Sequence, residues 1–360
     1  MKTLILAAGR FGDTMKADIA QGREPRLDVF ELQSVLDAEV IDYLSVENSR
    51  DAATRAITRT LGLSAAVAYL GFQQRHRIDA FLTAGEDIGL PLALMLKASS
   101  APCSHTMIAH TLAPLKKRVL FDYARAHDRM DRIIAYSSSE ERHMIHRLGI
   151  PANRVQRIYY HADQKFFRPD GRTPEPDLIC AAGQLLRDYD CLVEAVRSLD
   201  VRVQIAAASP WIDRPLRPKK KLPTNVSWGK FNRHDLRELY ARSAIAVVPI
   251  LQNDYQTGIA TILEMMAMGK CVVATRTRGQ TDTIIDGETG IYVPPSDPGA
   301  LRSAIERMLK SPTEAQRIGA QARRFMEERA GLDHFVERIV EAVRIGHMNR
   351  RRGREAEAQV

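Results

Sequence analysis

The residues best suited to chemistry lie in the run Asp254-Tyr-Gln-Thr-Gly-Ile-Ala-Thr-Ile-Leu-Glu-Met-Met-Ala-Met-Gly269. It reads as a loop, a helix start and a helix closed by Gly269. At the helix start the backbone N–H groups of Gly258, Ile259, Ala260 and Thr261 lack partners within the helix. The helix dipole adds positive potential there, so this stretch predicts an anion site suited to a pyrophosphate. Gly258 lets the main chain approach a ligand with no Cβ in the way. Glu264 sits one turn inside the helix, where its carboxylate can accept both hydroxyls of a ribose. Met265, Met266 and Met268 read as core packing.

Such a site must be held by elements on either side, and the pattern supplies them. Strand-like apolar runs in the first half are Thr3–Ala8, Asp79–Ala84, Met107–His110 and Arg132–Ser137. Those of the second half are Asp177–Ala182, Val201–Ala207, Ile245–Pro249, Cys271–Thr275 and Gly290–Val293. Helical patterns alternate with them, at Leu92–Lys97, Ser139–Leu148, Asp190–Leu199, Asp235–Ser243, Thr261–Met268 and Pro298–Leu309. A capping box is expected at Ser138 and Glu141, and a helical pattern continues from about Thr313 to Met348. Strand–helix alternation in both halves predicts two parallel α/β layers, with ligands bound in the cleft between them. Arg168–Pro176 holds three prolines and a glycine and reads as the linker. Residues 1–168 then form one domain, 169–330 the other, and 331–360 a terminal helix that crosses back to the first, ending in a basic tail.

Composition narrows the classes. At 360 residues with 45% hydrophobic and 27% charged side chains, the chain reads as a soluble two-domain protein. No apolar run approaches the span of a bilayer, and the apolar start Met1–Ala8 reads as a buried strand. Cys103, Cys180, Cys191 and Cys271 are far apart, which predicts reduced thiols in a cytoplasmic protein and no metal site. The net charge of +8 is spread among acids without aromatic–basic stripes, which argues against nucleic acid. Two basic clusters, Lys116-Lys117-Arg118 and Arg350-Arg351-Arg352 with Arg354, leave a weak peripheral contact with an anionic membrane surface as an expectation.

Beyond these physical readings, Gln256…Glu264-Met-Met-Ala-Met-Gly-Lys-Cys-Val-Val-Ala-Thr275, followed by Asp286-Gly-Glu-Thr-Gly-Ile-Tyr-Val-Pro-Pro295, resembles the donor-binding region of retaining glycosyltransferase family 4. Ala182-Gly-Gln-Leu-Leu-Arg-Asp-Tyr-Asp-Cys-Leu192, Arg132–Ser138 and Tyr160–Pro169 extend the likeness. The resemblance implies an α/β GT-B fold, two Rossmann-like domains facing across a cleft. It implies retaining, metal-independent transfer of a sugar from a UDP- or GDP-linked donor, without a cofactor. The acceptor stays open: a glycan, a lipid or a small molecule. Glu264 matches the family's ribose-binding glutamate, and Arg187 its diphosphate-binding lysine. Gln256 stands where the family has a sugar-contacting glutamate, and Gln184 where it has an arginine. His110 is read as the histidine that contacts the donor sugar, with His105 its nearest competitor. Gly12, with Gly9, follows the first strand and lines the diphosphate or acceptor side. The neutral Gln256 and Gln184 keep a non-catalytic sugar-nucleotide binder in play, and a GT-B epimerase or phosphorylase is the other alternative.

Overall fold

A computed structural model of the chain describes residues 1–99, 101–110, 112, 124–207, 216, 218 and 221–357. The chain divides into two compact units. One comprises Met1–Asp18, Arg26–Ile158 and the C-terminal stretch from Phe335; the other comprises Ile19–Pro25 and Tyr159–His334.

In the first unit, strands β1 (Thr3–Ala7), β2 (Glu39–Ile41), β3 (Ala80–Ala84), β4 (Ser104–Ile108), β5 (Arg132–Ala135) and β6 (Val155–Arg157) form a sheet in the order β2-β1-β3-β4-β5-β6. In the second, β7 (Glu175–Ala182), β8 (Arg202–Ala206), β9 (Val226–Gly229), β10 (Ser243–Val248), β11 (Val272–Thr275) and β12 (Ile291–Val293) run β12-β11-β10-β7-β8-β9. Every ladder is parallel. Parallel sheets are covered on both faces, so their strands carry apolar residues at consecutive positions. Strand β7 demonstrates this. Leu178, Cys180 and Ala182 pack with Ile262, Met265 and Met266 of the helix Ile259–Ala267. Ile179 and Ala181 point the other way, onto Leu192, Ile305 and Met308 of the helices Tyr189–Val196 and Pro298–Lys310. The methionines read as core are buried accordingly.

Several boundaries differ from the sequence reading. Strand β4 starts at Ser104, not Met107, and stops at Ile108, so His110 lies two residues beyond it. Its polar half, Ser104, His105 and Thr106, is fully buried, a burial that hydropathy does not announce. Ser137, not Ser138, caps the helix Ser138–His146 by accepting from the Glu140 N–H at 3.1 Å. Glu175 and Pro176, assigned to the linker, begin β7; proline is tolerated there because the ladder to β10 is irregular near its start. The terminal helical run is also interrupted, by a π-turn at Met326–Ala330 and extended backbone at Gly331, before the helix Leu332–Glu357. The basic cluster Lys116-Lys117-Arg118 lies outside the described residues. No described helix is long and apolar enough to cross a membrane.

Candidate functional site

Within the second unit, the loop after β7 is stitched to the loop after β10. The Leu251 N–H bonds to the Leu186 carbonyl at 2.9 Å, the Asp188 N–H to the Pro249 carbonyl at 3.0 Å, and Arg187 bridges to Ile250. This places the Arg187 guanidinium under the start of the helix Ile259–Ala267. Its Nε donates to the Ala182 carbonyl at 2.9 Å, Nη1 to the Leu185 carbonyl at 2.9 Å, and Nη2 to Thr261 Oγ1 at 3.1 Å. Two left-handed glycines make room for it. Gly183 has φ +94° and Gly258 φ +83°. A Cβ at Gly183 would overlap Arg187 Nη2, and one at Gly258 would stand 3.1 Å from Nη1. Only glycine adopts these torsions without strain and leaves this space.

The helix above carries no side-chain cap: Gly258 is its N-cap residue, and the first intrahelical bond runs from the Ile262 N–H to the Gly258 carbonyl at 3.0 Å. The N–H groups of Ile259, Ala260 and Thr261 therefore have no acceptor within the helix. Arg187 is buried, and among the described residues no carboxylate pairs with it. Burial opposes its charge, yet a guanidinium stays protonated in proteins. A buried cation at the positive end of a helix is an unbalanced arrangement that a bound anion relieves.

Glu264 is 8% exposed, and it is not the bare acceptor that the sequence suggested. Its Oε1 accepts from Arg233 Nη1 at 3.1 Å and its Oε2 from the Tyr240 hydroxyl at 3.3 Å. Burial pushes the carboxyl above the usual range, while Arg233, the Tyr240 hydrogen bond and Arg187 pull it back. Sequence reasoning missed both partners, because they lie on the helix Arg233–Arg242, more than twenty residues away. The only local signal there is the Asn232 cap, which accepts from the Asp235 N–H at 2.8 Å.

Gln256 sits in the loop between β10 and that helix. Asn253 shapes the loop by accepting from the Tyr255 N–H at 2.9 Å and the Thr257 hydroxyl at 3.0 Å. Among the described residues, neither polar atom of the buried Gln256 amide has a hydrogen-bond partner, a costly state that a hydroxyl-bearing ligand would remedy. Gln184 is buried directly after Gly183 and, with Arg187, Tyr189, Lys221, Trp228 and Leu251, lines a pocket of about 280 Å³.

Two further candidates belong to the first unit. His110 is exposed; its N–H donates to Glu86 Oε2 at 2.9 Å, and its ring lies 5.5 Å from that of Tyr136. His105, the competitor, is fully buried in β4 with Nε2 3.0 Å from Thr83 Oγ1, and burial holds it down to about 3. It is a core residue. Gly12 starts the helix Asp13–Ala20, its carbonyl accepting from the Met15 N–H at 3.1 Å, and a Cβ there would meet only Leu44 at ordinary distance. Among the described residues, nothing around Gly12 requires a glycine. Among the described residues, no group of three or more His, Cys, Asp or Glu could hold a metal ion, and the four cysteines are unpaired.

Comparison with known proteins places this constellation. Residues 176–311, which contain Gly183 to Glu264, match the model of the glycosyl transferases group 1 family. The D-inositol 3-phosphate glycosyltransferase of Thermobifida fusca is 25% identical over 259 residues, covering 61% of this chain and 58% of that protein. The alpha-D-kanosaminyltransferase of Streptomyces kanamyceticus is 23% identical over 259 residues, covering 65% of each. The chain thus spans less than two thirds of the length of these relatives. The crystal structure of Anabaena HepE in complex with UDP-glucose superposes with a TM-score of 0.67 at 15% identity, covering 94% of this chain and 98% of that one. The fold is GT-B. In GT-B terms the two six-stranded parallel sheets are the two Rossmann-like domains, and the Arg187–Glu264 constellation lies wholly in the second.

Proposed function

We propose that this GT-B protein is a glycosyltransferase that moves a sugar from a nucleoside diphosphate sugar to a hydroxyl acceptor with retention of configuration. The observation that carries this reading is the buried Arg187, lodged between two left-handed glycines beneath an uncapped helix start, with Glu264 one turn further on. The diphosphate rests on the Ile259–Thr261 N–H groups and Arg187. The ribose diol donates to Glu264. The Gln256 amide, buried and without partners among the described residues, meets hydroxyls of the donor sugar, and Gln184 lines the nucleotide side. The Anabaena structure with UDP-glucose and the family likeness make a UDP- or GDP-linked donor the first to test.

As the glycosidic bond breaks, its electron pair leaves on the diphosphate. Arg187 and the helix start stabilise that charge, which serves in place of a divalent cation. The acceptor hydroxyl attacks from the same face and its proton passes to the departing diphosphate oxygen. For His110 the support is the likeness of the sequence, which assigns it to the donor sugar; for Gly12 it is the position after the first strand. The acceptor is a glycan, a lipid or a small molecule, and the reaction takes place in the cytoplasm or at the inner membrane face.

One observation favours a second reading. Gln256 is a neutral amide at a position where the resembled family carries a charge, which suits a protein that binds the donor without turning it over. Release of nucleoside diphosphate from UDP- and GDP-sugars separates the two. The transferase reading expects slow release that Glu264→Ala abolishes; donor binding with no release from any donor would favour the binder.

A further inference from the structure

Glu264 has a problem that the donor-site reading alone does not solve. A carboxyl must be ionised to accept two hydroxyls at once, since its protonated form turns one oxygen into a donor. Yet Glu264 lies in a buried place that favours the proton. The solution is built into one helix. Arg233 and Tyr240 stand seven residues apart on Arg233–Arg242, two turns along one face, and each takes one oxygen of the Glu264 carboxylate. The Arg233 side chain is 27% exposed, and its guanidinium faces a second carboxylate on its other edge, Glu24 Oε2 at 3.8 Å from Nε. Glu24 comes from Ile19–Pro25, the early stretch that belongs to the second unit. Tyr240 is fully buried and stays a protonated donor, because burial and the neighbouring Glu264 push its hydroxyl up.

We propose that Arg233 is the positioning residue of the donor site: with Tyr240 it holds Glu264 ionised and turned so that each carboxylate oxygen keeps one acceptor position for a vicinal diol. The inference rests on the donor-site reading and deepens it. A carboxylate offers about four acceptor positions, Arg233 and Tyr240 occupy one on each oxygen, and the two left over match the two hydroxyls of a ribose. Arg233 also lies at the first turn of its helix, where the dipole disfavours a cation. The carboxylates beside it offset that cost. The groups that face Glu264 are Arg233, Tyr240 and Arg187, with Glu24 behind Arg233 and Cys180 near Tyr240. Arg233 is thus a charge that cannot be removed without shifting the carboxyl toward its protonated form.

The test has two arms. The first follows the Glu264 carboxyl carbon by carbon-13 NMR through a pH titration of the nucleotide-free protein, in the wild type, Arg233→Met and Arg233→Lys. The titration midpoint is expected to rise by about one pH unit or more in Arg233→Met and to return toward wild type in Arg233→Lys. Where Arg233→Met does not fold, Arg233→Gln carries the test with the same expected rise. The second arm measures the Kd of UDP, GDP and ADP at pH 6 and pH 9, and follows the nucleotide that the wild type binds. The ratio of the Arg233→Met Kd to the wild-type Kd is expected to be larger at pH 6 than at pH 9 and to approach one at pH 9, where the carboxyl ionises without help. An unmoved midpoint, or an equal loss of affinity at both pH values, overturns the positioning role while leaving the donor site intact. Failure of the wild type to bind any of UDP, GDP and ADP at either pH overturns the diol assignment together with the donor-site reading, whatever the midpoint does.

Discussion

Gly258→Ala tests the cradle around Arg187, and a second glycine in the same unit supplies its control. Both Gly258, at φ +83°, and Gly171, at φ +80°, occupy the left-handed region. An alanine there costs about 1–2 kcal/mol from its own backbone. At Gly171 nothing among the described residues lies within 4 Å of the added Cβ, so that cost is the whole effect. At Gly258 the Cβ stands 3.1 Å from both Arg187 Nη1 and Ile250 Cδ1, so the guanidinium must move and its 3.1 Å bond to Thr261 is strained. Overpacking of this kind adds about 1 kcal/mol or more. For a unit of this size, each kcal/mol lowers Tm by roughly 2–4 °C, so Gly258→Ala should melt a few degrees below Gly171→Ala. The larger contrast is in ligand binding. A guanidinium pushed by a few tenths of an ångström weakens a charge-assisted contact worth about 1.5–3 kcal/mol, so the loss in Kd is bounded by about tenfold to a hundredfold. Thermal melts and calorimetric titration with UDP and GDP read both quantities. Gly171→Ala should bind nucleotide as the wild type does. If Gly258→Ala is destabilised yet keeps wild-type affinity, the Arg187 cradle is not where the diphosphate sits.

Arg187→Lys should weaken nucleotide binding about as much as Arg187→Met, by about tenfold or more, because a single ammonium cannot span Ala182, Leu185 and Thr261 as the planar fork does; wild-type affinity in Arg187→Lys would show that charge alone suffices. His105 titrates at about 3 in the fold against 6.5 in the unfolded chain. A depressed histidine contributes stability above pH 6.5 that is lost as pH falls toward 3, by about 3–5 kcal/mol over the whole window. Asp131, raised to about 6, acts in the opposite sense: its contribution is present at low pH and is lost as pH rises through 6. Denaturant melts of wild type and His105→Gln should therefore diverge with pH, the variant losing less stability on acidification; parallel curves would place the acid sensitivity elsewhere. Arg351, Arg352 and Arg354 are exposed at the end of the last helix. Replacing them with Gln should reduce sedimentation with anionic vesicles at low salt and leave neutral vesicles unaffected, and unchanged sedimentation would remove the membrane contact.

The parts of this protein that were legible in sequence are those where one residue type reports one environment. Continuous apolar runs revealed β1, β3, β5, β7, β8, β10, β11 and β12, because strands buried on both faces have no polar alternative. Strands β2, β6 and β9 escaped because each has at most one buried residue and so carries no apolar run. The start of β4 escaped because its buried side chains are polar: Thr83 of β3 meets His105 Nε2, while His105 Nδ1 and Thr106 Oγ1 are buried without a partner among the described residues. The glycine-led helix start and Glu264 were visible as a local motif. The Gly183 side of the Arg187 cradle was not, since a glycine after a strand has many explanations until its torsion and neighbours are known. Arg233 and Tyr240 were not either: their meaning comes from a carboxylate brought to them by the packing of two helices on one sheet.

The central claim is that Arg187, the helix start and Glu264 form one site for a nucleoside diphosphate. The most direct measurement is a thermal-shift screen with UDP, GDP, ADP and their common sugars on wild type, Arg187→Met and Glu264→Ala. A ligand at 100 times its Kd stabilises the fold by about 2.7 kcal/mol, a shift of roughly 5–10 °C for a unit of this size. The account predicts that one nucleotide series raises the Tm of the wild type and that both variants lose that rise. A wild type that no nucleotide stabilises, or variants that keep the full shift, would contradict it.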